Sequence, residues 1–281
     1  MAIFGAILAA GAAERFGAPK LLLPAGPGET VLSQAIRRLL AAVDGSVLVV
    51  LPAEDALHRA ALAAVGDPRA LPVANPRSHE GLGTSVAAAA RAAQAEGAEA
   101  LLVMPSDLPF FPLSALSRMV RTFRAQAPWA VATACAGEPQ TPALFGAQAL
   151  APLSDRQGAH GAKPLLRVPR GPLALEEGLP AQALSDLDRW PAYAAAASAL
   201  GWSVEAASPV RWVPALEQVS AGAIWQLGDR TQAAFRFAPQ PGEILAAEEA
   251  GRVVLQASGG PHEALLLLRC AAHIALGGGA G

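Results

Sequence analysis

The chain has 281 residues, of which 53% are hydrophobic and 16% charged, and its formal net charge is −2. A composition this apolar supports a sizeable core and excludes a largely disordered chain, and the small negative charge argues against a general nucleic-acid binder, which carries a basic excess. The two cysteines, Cys135 and Cys270, lie far apart without metal-ligand spacing, so we expect neither a zinc site nor a disulfide framework.

The N-terminal stretch 1–13 is apolar and ends in small residues, as a signal peptide does, but it has no positively charged start. No apolar run reaches the roughly 18–20 residues of a membrane span. We therefore expect a cytoplasmic protein with neither a membrane partner nor a nucleic-acid partner.

Short apolar runs alternate with segments of helical spacing over the first half of the chain. The predicted strands are residues 3–9, 46–52, 70–76, 99–107 and 129–135. The predicted helices are residues 30–43, 54–65, 83–97 and 112–126. Continuous apolar strands are typical of a sheet buried on both faces, so the pattern predicts an α/β fold with a mostly parallel sheet and helices on both faces.

Three unusual loops follow predicted strands: residues 11–20 follow the first, 79–85 the third and 105–109 the fourth. Ligands of such sheets bind at the carboxyl ends of the strands, so we expect the three loops to face one crevice. The first loop, in "GAILAAGAAERFGAPK", places Arg15 and Lys20 around two glycines. It matches neither a P-loop nor GxGxxG, and from the residues alone a triphosphate-binding loop and an ordinary turn both stay open.

The pattern changes after the stretch 186–201. Residues 231–237 alternate with period two, residues 251–257 predict a further strand, and residues 261–277 predict a helix that begins at Pro261. We therefore expect two domains, residues 1–199 and a small α+β C-terminal extension at residues 200–281.

The stretch "LAAGAAERFGAPKLLLP", residues 8–24, is similar to the "LAAGxSxRxGxxKxLLP" signature of the molybdenum cofactor nucleotidyltransferases, with Ala13 in place of the usual serine. The resemblance covers about residues 1–198 and implies a Rossmann-like sheet of the GT-A type. It also implies that the signature binds the nucleotide, with Arg15 and Lys20 as catalytic residues as well. The implied nucleotide contacts of this segment are Leu8, Ala9, Ala10, Gly11, Arg15 and Lys20.

Two further stretches resemble the family's motifs for the nucleoside and the metal. "NPRSHEGLGTSVAAA" (75–89) resembles "NPxWxxGmxsSl", which approaches the base and ribose, and "MPSDLPFF" (104–111) resembles "GDxPxV". The second implies that Asp107 is catalytic and holds Mg²⁺. A helix-capping loop and a turn aspartate are the alternatives that stay open. The implied nucleoside contacts are Asn75, Gly81, Gly83, Thr84 and Ser85.

The later motifs depart more from the family. "LSDLDRW" (184–190) resembles "xxDIDTPEDL" and implies Asp188 as the second metal ligand with Asp186 nearby, although Arg189 and Trp190 replace Thr-Pro and a solvated acidic turn stays open. "TPALFG" (141–146) and "GAHGAKPLLR" (158–167) resemble acceptor-side motifs, with Ala159 in place of an aspartate.

The resemblance implies a Mg²⁺-dependent nucleotidyltransferase that transfers a nucleoside monophosphate from an NTP to a molybdopterin-type phosphate and releases pyrophosphate. Alanine at position 10, where the guanylyl branch more often has glycine, favours CTP over GTP. A molybdoenzyme apoprotein is a further expected partner. Two alternatives stay open: a sugar or alditol phosphate as the acceptor, and an accessory protein whose catalysis has decayed. Residues 200–281 are expected to be dispensable for NTP binding and to serve association or acceptor handling.

Overall fold

The computed structural model describes residues 2–11, 15–202, 210–213, 216 and 222–277. The strands of the larger sheet are β1 (Ile3–Leu8), β2 (Val47–Pro52), β3 (Ala70–Asn75), β4 (Ala100–Pro105), β5 (Ala130–Cys135), β6 (Glu138–Gly146) and β7 (Leu173–Glu176). The helices are α1 (Val31–Ala42), α2 (Ala56–Ala63), α3 (Leu82–Ala95), α4 (Leu113–Gln126), α5 (Ala147–Ser154), α6 (Lys163–Arg167), α7 (Trp190–Ala199) and α8 (Pro261–Ala275). Short 3₁₀ turns span Lys20–Leu22 and Ser78–Glu80.

The larger sheet has seven strands in the order β3-β2-β1-β4-β6-β5-β7. All neighbouring pairs are parallel except those of β6, which runs antiparallel to both β4 and β5. This confirms the predicted mostly parallel sheet. Since β1, β3 and β4 run in the same direction, their carboxyl ends lie at one edge of the sheet.

Helices cover both faces of this sheet, as predicted. The even-numbered residues of β1, such as Phe4 and Ala6, share a core cluster with the alanines of α3. Position 5 lies on the opposite face of the sheet, where a Cβ added to Gly5 would lie 2.5 Å from the side chain of Leu39 in α1. Every residue of β1 is buried for this reason, which explains its continuous apolar sequence.

A second sheet lies in the C-terminal part and has the order β8-β11-β12-β10-β9. Its strands are β8 (Arg211–Trp212), β9 (Ala223–Leu227), β10 (Thr231–Phe237), β11 (Leu245–Glu249) and β12 (Arg252–Gly259). Helix α8 packs on β10 and β12 through buried residues that include Leu267 and Leu268. The expected strands at 231–237 and 251–257 and the expected helix after residue 260 are confirmed.

Spatial contacts divide the chain into two compact units. The first comprises Met1–Ala12, Leu32–Asp55 and Leu62–Ser185, and the second comprises Ala13–Val31, Ala56–Ala61 and Asp186–Gly281. Residues 13–31, which carry most of the signature, thus belong to the same unit as the second sheet. The expected boundary at residue 199 stays a prediction. None of the helices in the described part of the chain has the length and hydropathy to span a membrane.

Candidate functional site

The turn after β1 keeps most of its predicted nucleotide contacts out of solvent. Leu8, Ala9 and Ala10 are buried, and Ala10 belongs to the core cluster under α3. The Ala9 N–H donates to the Val50 carbonyl at 3.0 Å, so the strand pairing continues up to the turn. Gly11 is exposed, and an added Cβ would meet nothing within 4 Å. Of these four predicted contacts, Gly11 is therefore the accessible one.

Buried polar side chains fix the loop that follows β3. Asn75 Nδ2 donates to Thr84 Oγ1 and to Ser85 Oγ, both at 3.0 Å, and Asn75 Oδ1 accepts from the Arg77 N–H at 3.0 Å. Thr84 Oγ1 donates in turn toward the carbonyls of Arg77 and Gly81. Asn75, Thr84 and Ser85 are each only 3% exposed. The hydrogen-bonding capacity of these predicted nucleoside contacts is largely used to hold the loop in shape.

Gly81 and Gly83 are required by close backbone packing. A Cβ on Gly81 would lie 2.6 Å from the Gly158 carbonyl oxygen, and one on Gly83 would lie 2.5 Å from the Gln157 oxygen. The Gly83 N–H also donates to the Gly158 carbonyl at 2.9 Å. Gly81 adopts φ of 116°, a value open to glycine. The start of α3 is thus tied to residues 157–159, and the exposed side chain here is that of Leu82.

The loop after β4 is tied to two neighbouring elements. Ser106 Oγ donates to the Leu8 carbonyl at 2.8 Å, and Arg38 Nη1 from α1 donates to the Leu108 carbonyl at 3.3 Å. Burial lowers the pKa of the Arg38 guanidinium below its usual value. Asp107 lies between these anchors, partly exposed, at the same edge of the sheet as Gly11 and Asn75.

Two cations of the signature gather on one carboxylate in the second unit. Lys20 Nζ lies 3.3 Å from Asp188 Oδ1, and Arg15 Nη1 lies 3.7 Å from Asp188 Oδ2. The Lys20 side chain is only 15% exposed, whereas that of Arg15 is 81% exposed. The sequence predicted Asp188 as a metal ligand, and the structure gives it two cationic partners. A metal shared by Asp107 and Asp188 stays a prediction.

The donor chemistry at Asp107 fits Mg²⁺. Among the described residues, no group of three or more His, Cys, Asp or Glu side chains is placed to hold a metal ion by itself. Mg²⁺ does not require such a group, because it binds through one or two carboxylates and completes its shell with substrate phosphates and water. A partly exposed aspartate at the carboxyl end of a parallel strand offers hard oxygen ligands of that kind.

One acceptor-side motif lies in a strand, and the other begins in a loop that Arg156 holds. Residues 141–146 lie in β6, and residues 142–146 of them are buried. Arg156 donates to the carbonyls of Gly161 and His160 at 3.1 and 3.0 Å, which shapes the loop before α6. Ala159, His160 and Lys163 are all exposed.

The sequence did not predict the aromatic cluster behind the signature. Phe16, Trp190 and Tyr193 pack together with ring centroids 5.2–6.4 Å apart. Tyr193 Oη donates to the Pro24 carbonyl at 2.7 Å, and burial raises the pKa of Tyr193. The available signal was Trp190 itself, an aromatic residue where the family motif has proline.

Comparisons with known proteins agree with this architecture. A model of the MobA-like NTP transferase domain matches residues 5–177. A probable molybdenum cofactor guanylyltransferase of Rhodopirellula baltica is 32% identical over 122 residues, which are 43% of this chain and 56% of that protein. The chain thus spans little more than half the length of this curated relative.

Solved structures share the fold. Rv0371c from Mycobacterium tuberculosis H37Rv superposes with a TM-score of 0.54 at 25% identity, covering 68% of this chain and 95% of that one. A complex of the same protein with manganese gives 0.52 at 22% identity, covering 69% and 97%. A nucleotidyl transferase from Methanothermobacter gives 0.56 at 21% identity, covering 71% and 97%.

The family model covers well over half of the sequence, from within β1 to just past β7. It includes the turn at Gly11, the loop at 75–85 and Asp107. The chain belongs to the MobA-like NTP transferase domain family.

Proposed function

We propose that the chain is a nucleotidyltransferase that transfers a nucleoside monophosphate from an NTP to a phosphate monoester and releases pyrophosphate. The observation that supports this most directly is the pairing of Lys20 and Arg15 on Asp188 after a glycine turn. The pairing brings two cationic side chains within 4 Å of the same carboxylate, and a cluster of cations suits the oxygens of a triphosphate. Charge-assisted contacts of Lys and Arg to phosphate are among the stronger hydrogen bonds in proteins.

The protein has little covalent chemistry to perform in this reaction. An oxygen of the acceptor phosphate attacks the α-phosphorus of the NTP, the bond from that phosphorus to the bridging oxygen breaks, and pyrophosphate leaves with the electron pair. Lys20 and Arg15 stabilise the charge that develops on the leaving pyrophosphate. Positioning and electrostatic stabilisation of this kind supply most of the rate in phosphoryl chemistry.

We assign Mg²⁺ to Asp107 as its first protein ligand. When bound, the ion would neutralise charge on the phosphate oxygens. The anchors at Ser106 and Leu108 hold the loop so that the Asp107 carboxylate is presented from a fixed backbone. The Mycobacterium tuberculosis protein was solved as a complex with manganese, which supports divalent-metal binding as part of this proposal.

The acceptor we propose is a molybdopterin-type phosphate, and a molybdoenzyme apoprotein would receive the product. The Rhodopirellula baltica relative, a probable guanylyltransferase of the molybdenum cofactor, supports this acceptor class. The preference for CTP stays a prediction. A methyl group at position 10 would favour CTP by taking up room that a purine base needs, but the Ala10 side chain packs in the core rather than at the exposed turn, so the structure does not support this reason.

A pyrophosphate-release screen tests the proposal. CTP, GTP, ATP and UTP are each supplied with Mg²⁺ and with molybdopterin, a hexose phosphate or an alditol phosphate as the acceptor. Pyrophosphate release that requires molybdopterin supports the proposal. Release only with a sugar or alditol phosphate would show that this compound, and not molybdopterin, is the acceptor. NTP binding without release under all conditions would identify an accessory protein instead. Arg121→Ala, an exposed change on α4, is the matched control for Lys20→Ala.

A further inference from the structure

The C-terminal lobe, defined here as residues 222–277, contacts the segment that carries the two cations. We call residues 15–26 the basic arm, and both belong to the second compact unit. We infer that the C-terminal lobe is a positioning element for the basic arm. The lobe holds the arm through the backbone N–H of Gln226, which binds at a point between Arg15 and Lys20. The consequence for NTP binding rests on the function proposed above, whereas the contact itself does not.

A backbone hydrogen bond joins the lobe to the middle of the arm. The Gln226 N–H donates to the Gly17 carbonyl at 3.0 Å. Gly17 lies between Arg15 and Lys20 and has φ of 77°, which residues other than glycine rarely adopt. The bond therefore fixes the backbone at the bend that separates the two cations.

This N–H is free to serve the arm because β9 is an edge strand of the second sheet. Gln226 lies opposite Gln232 in the antiparallel pair of β9 and β10. Antiparallel pairs alternate between residues that bond each other and residues whose N–H and C=O point outward. Since the Gln226 N–H reaches Gly17, it points outward and does not belong to the β9–β10 ladder.

Side chains reinforce the same contact. Phe16 of the arm packs edge-on against Trp190, with ring centroids 6.2 Å apart. Trp190 in turn packs on the turn after β9, where a Cβ on Gly228 would lie 2.9 Å from the indole nitrogen. Gln226 Nε2 donates to the Gly228 carbonyl at 2.8 Å and holds that turn in place. The aromatic packing thus connects the lobe to the residue that follows Arg15.

The far end of the arm is bound as well. Arg269 Nη2 in α8 donates to the Gly26 carbonyl at 3.0 Å, and Tyr193 Oη donates to the Pro24 carbonyl at 2.7 Å. Lobe contacts therefore lie on both sides of Lys20 along the chain. A cation held in place before the ligand arrives loses less freedom on binding, so these contacts should lower the KM for NTP. They argue against the expectation that residues 200–281 are dispensable for NTP binding.

The sharpest test is Gln226→Pro beside Gln226→Ala in the full chain. Proline lacks the N–H, and an edge strand tolerates it where the N–H faces outward. Alanine keeps the N–H and loses only the side-chain bond to Gly228. We measure hydrogen exchange of the segment 16–23 in the nucleotide-free protein, and the KM and kcat for CTP and GTP. We expect faster exchange in Gln226→Pro and a KM raised about threefold to tenfold, the range of one net hydrogen bond, with little change in kcat.

A second pair of variants covers the case in which Gln226→Pro fails to fold. Arg269→Gln should also accelerate exchange near residue 26 and raise KM, whereas Arg236→Gln, an exposed change on β10 with the same loss of charge, should do neither. If Arg269→Gln and a folded Gln226→Pro both have the wild-type KM for NTP, the inference is overturned, even if their hydrogen exchange is faster. If the wild-type chain binds no NTP, the proposed function fails. In that case hydrogen exchange of the basic arm is the only test, and wild-type exchange rates in the variants overturn the positioning role.

Discussion

Replacing Lys20 by methionine removes the ammonium group and keeps most of the apolar stem. The ion pair with Asp188 is 3.3 Å long, but the Asp188 side chain is 47% exposed and can be solvated by water when its partner is lost. The pair with Asp188 should therefore contribute only about 0.5–1 kcal/mol to the free energy of unfolding. A charge-assisted contact to the triphosphate is worth roughly 1.5–3 kcal/mol, so the affinity for NTP should fall about tenfold to 150-fold.

Calorimetric titration with CTP and GTP in Mg²⁺ measures the affinity, and a thermal melt of the same samples measures the stability. Arg121→Met on α4 removes a charge from an exposed position of the first unit and serves as the control. An NTP affinity within about twofold of wild type would refute the assignment of Lys20 to the triphosphate. A loss of stability well above about 1 kcal/mol in Lys20→Met would show that Lys20 supports the fold by more than its pair with Asp188.

Three further outcomes follow from the contacts. Asp107→Asn keeps the side-chain shape and should abolish metal-dependent pyrophosphate release while the chain stays folded, and wild-type turnover would exclude Asp107 as the metal ligand. Gly83→Ala should lower the free energy of unfolding in urea by about 1–3 kcal/mol, because its Cβ would overlap the backbone of residues 157–158. A Cβ at position 11 would lie in open space, so Gly11→Ala should have the wild-type free energy of unfolding. Equal losses of stability in the two alanine variants would be inconsistent with this packing. Tyr193→Phe leaves a buried carbonyl of the basic arm without its donor and should cost about 1–2 kcal/mol in the same assay, so an unchanged midpoint would argue against that bond.

The predicted strands and helices of the first half were correct because their signals are local. The strand 3–9 is continuous and apolar, and the structure buries β1 on both faces. β6 was not predicted, because its residues 138–146 contain two prolines and a charged start, which disfavour a strand. Its buried second half is explained by its position between β4 and β5, which no local pattern indicates.

The sequence by itself determined the family, the strands that the three loops follow, and the presence of two cations around a glycine turn. Only the tertiary structure decided what the polar residues contact. Asn75 donates to both Thr84 and Ser85, and Asp188 pairs with the signature cations. The bond from Gln226 to Gly17 joins positions far apart in the chain through main-chain atoms. Every non-proline residue carries the same N–H and C=O, so the sequence does not distinguish which of them will pair, and only the path of the folded chain brings these two together.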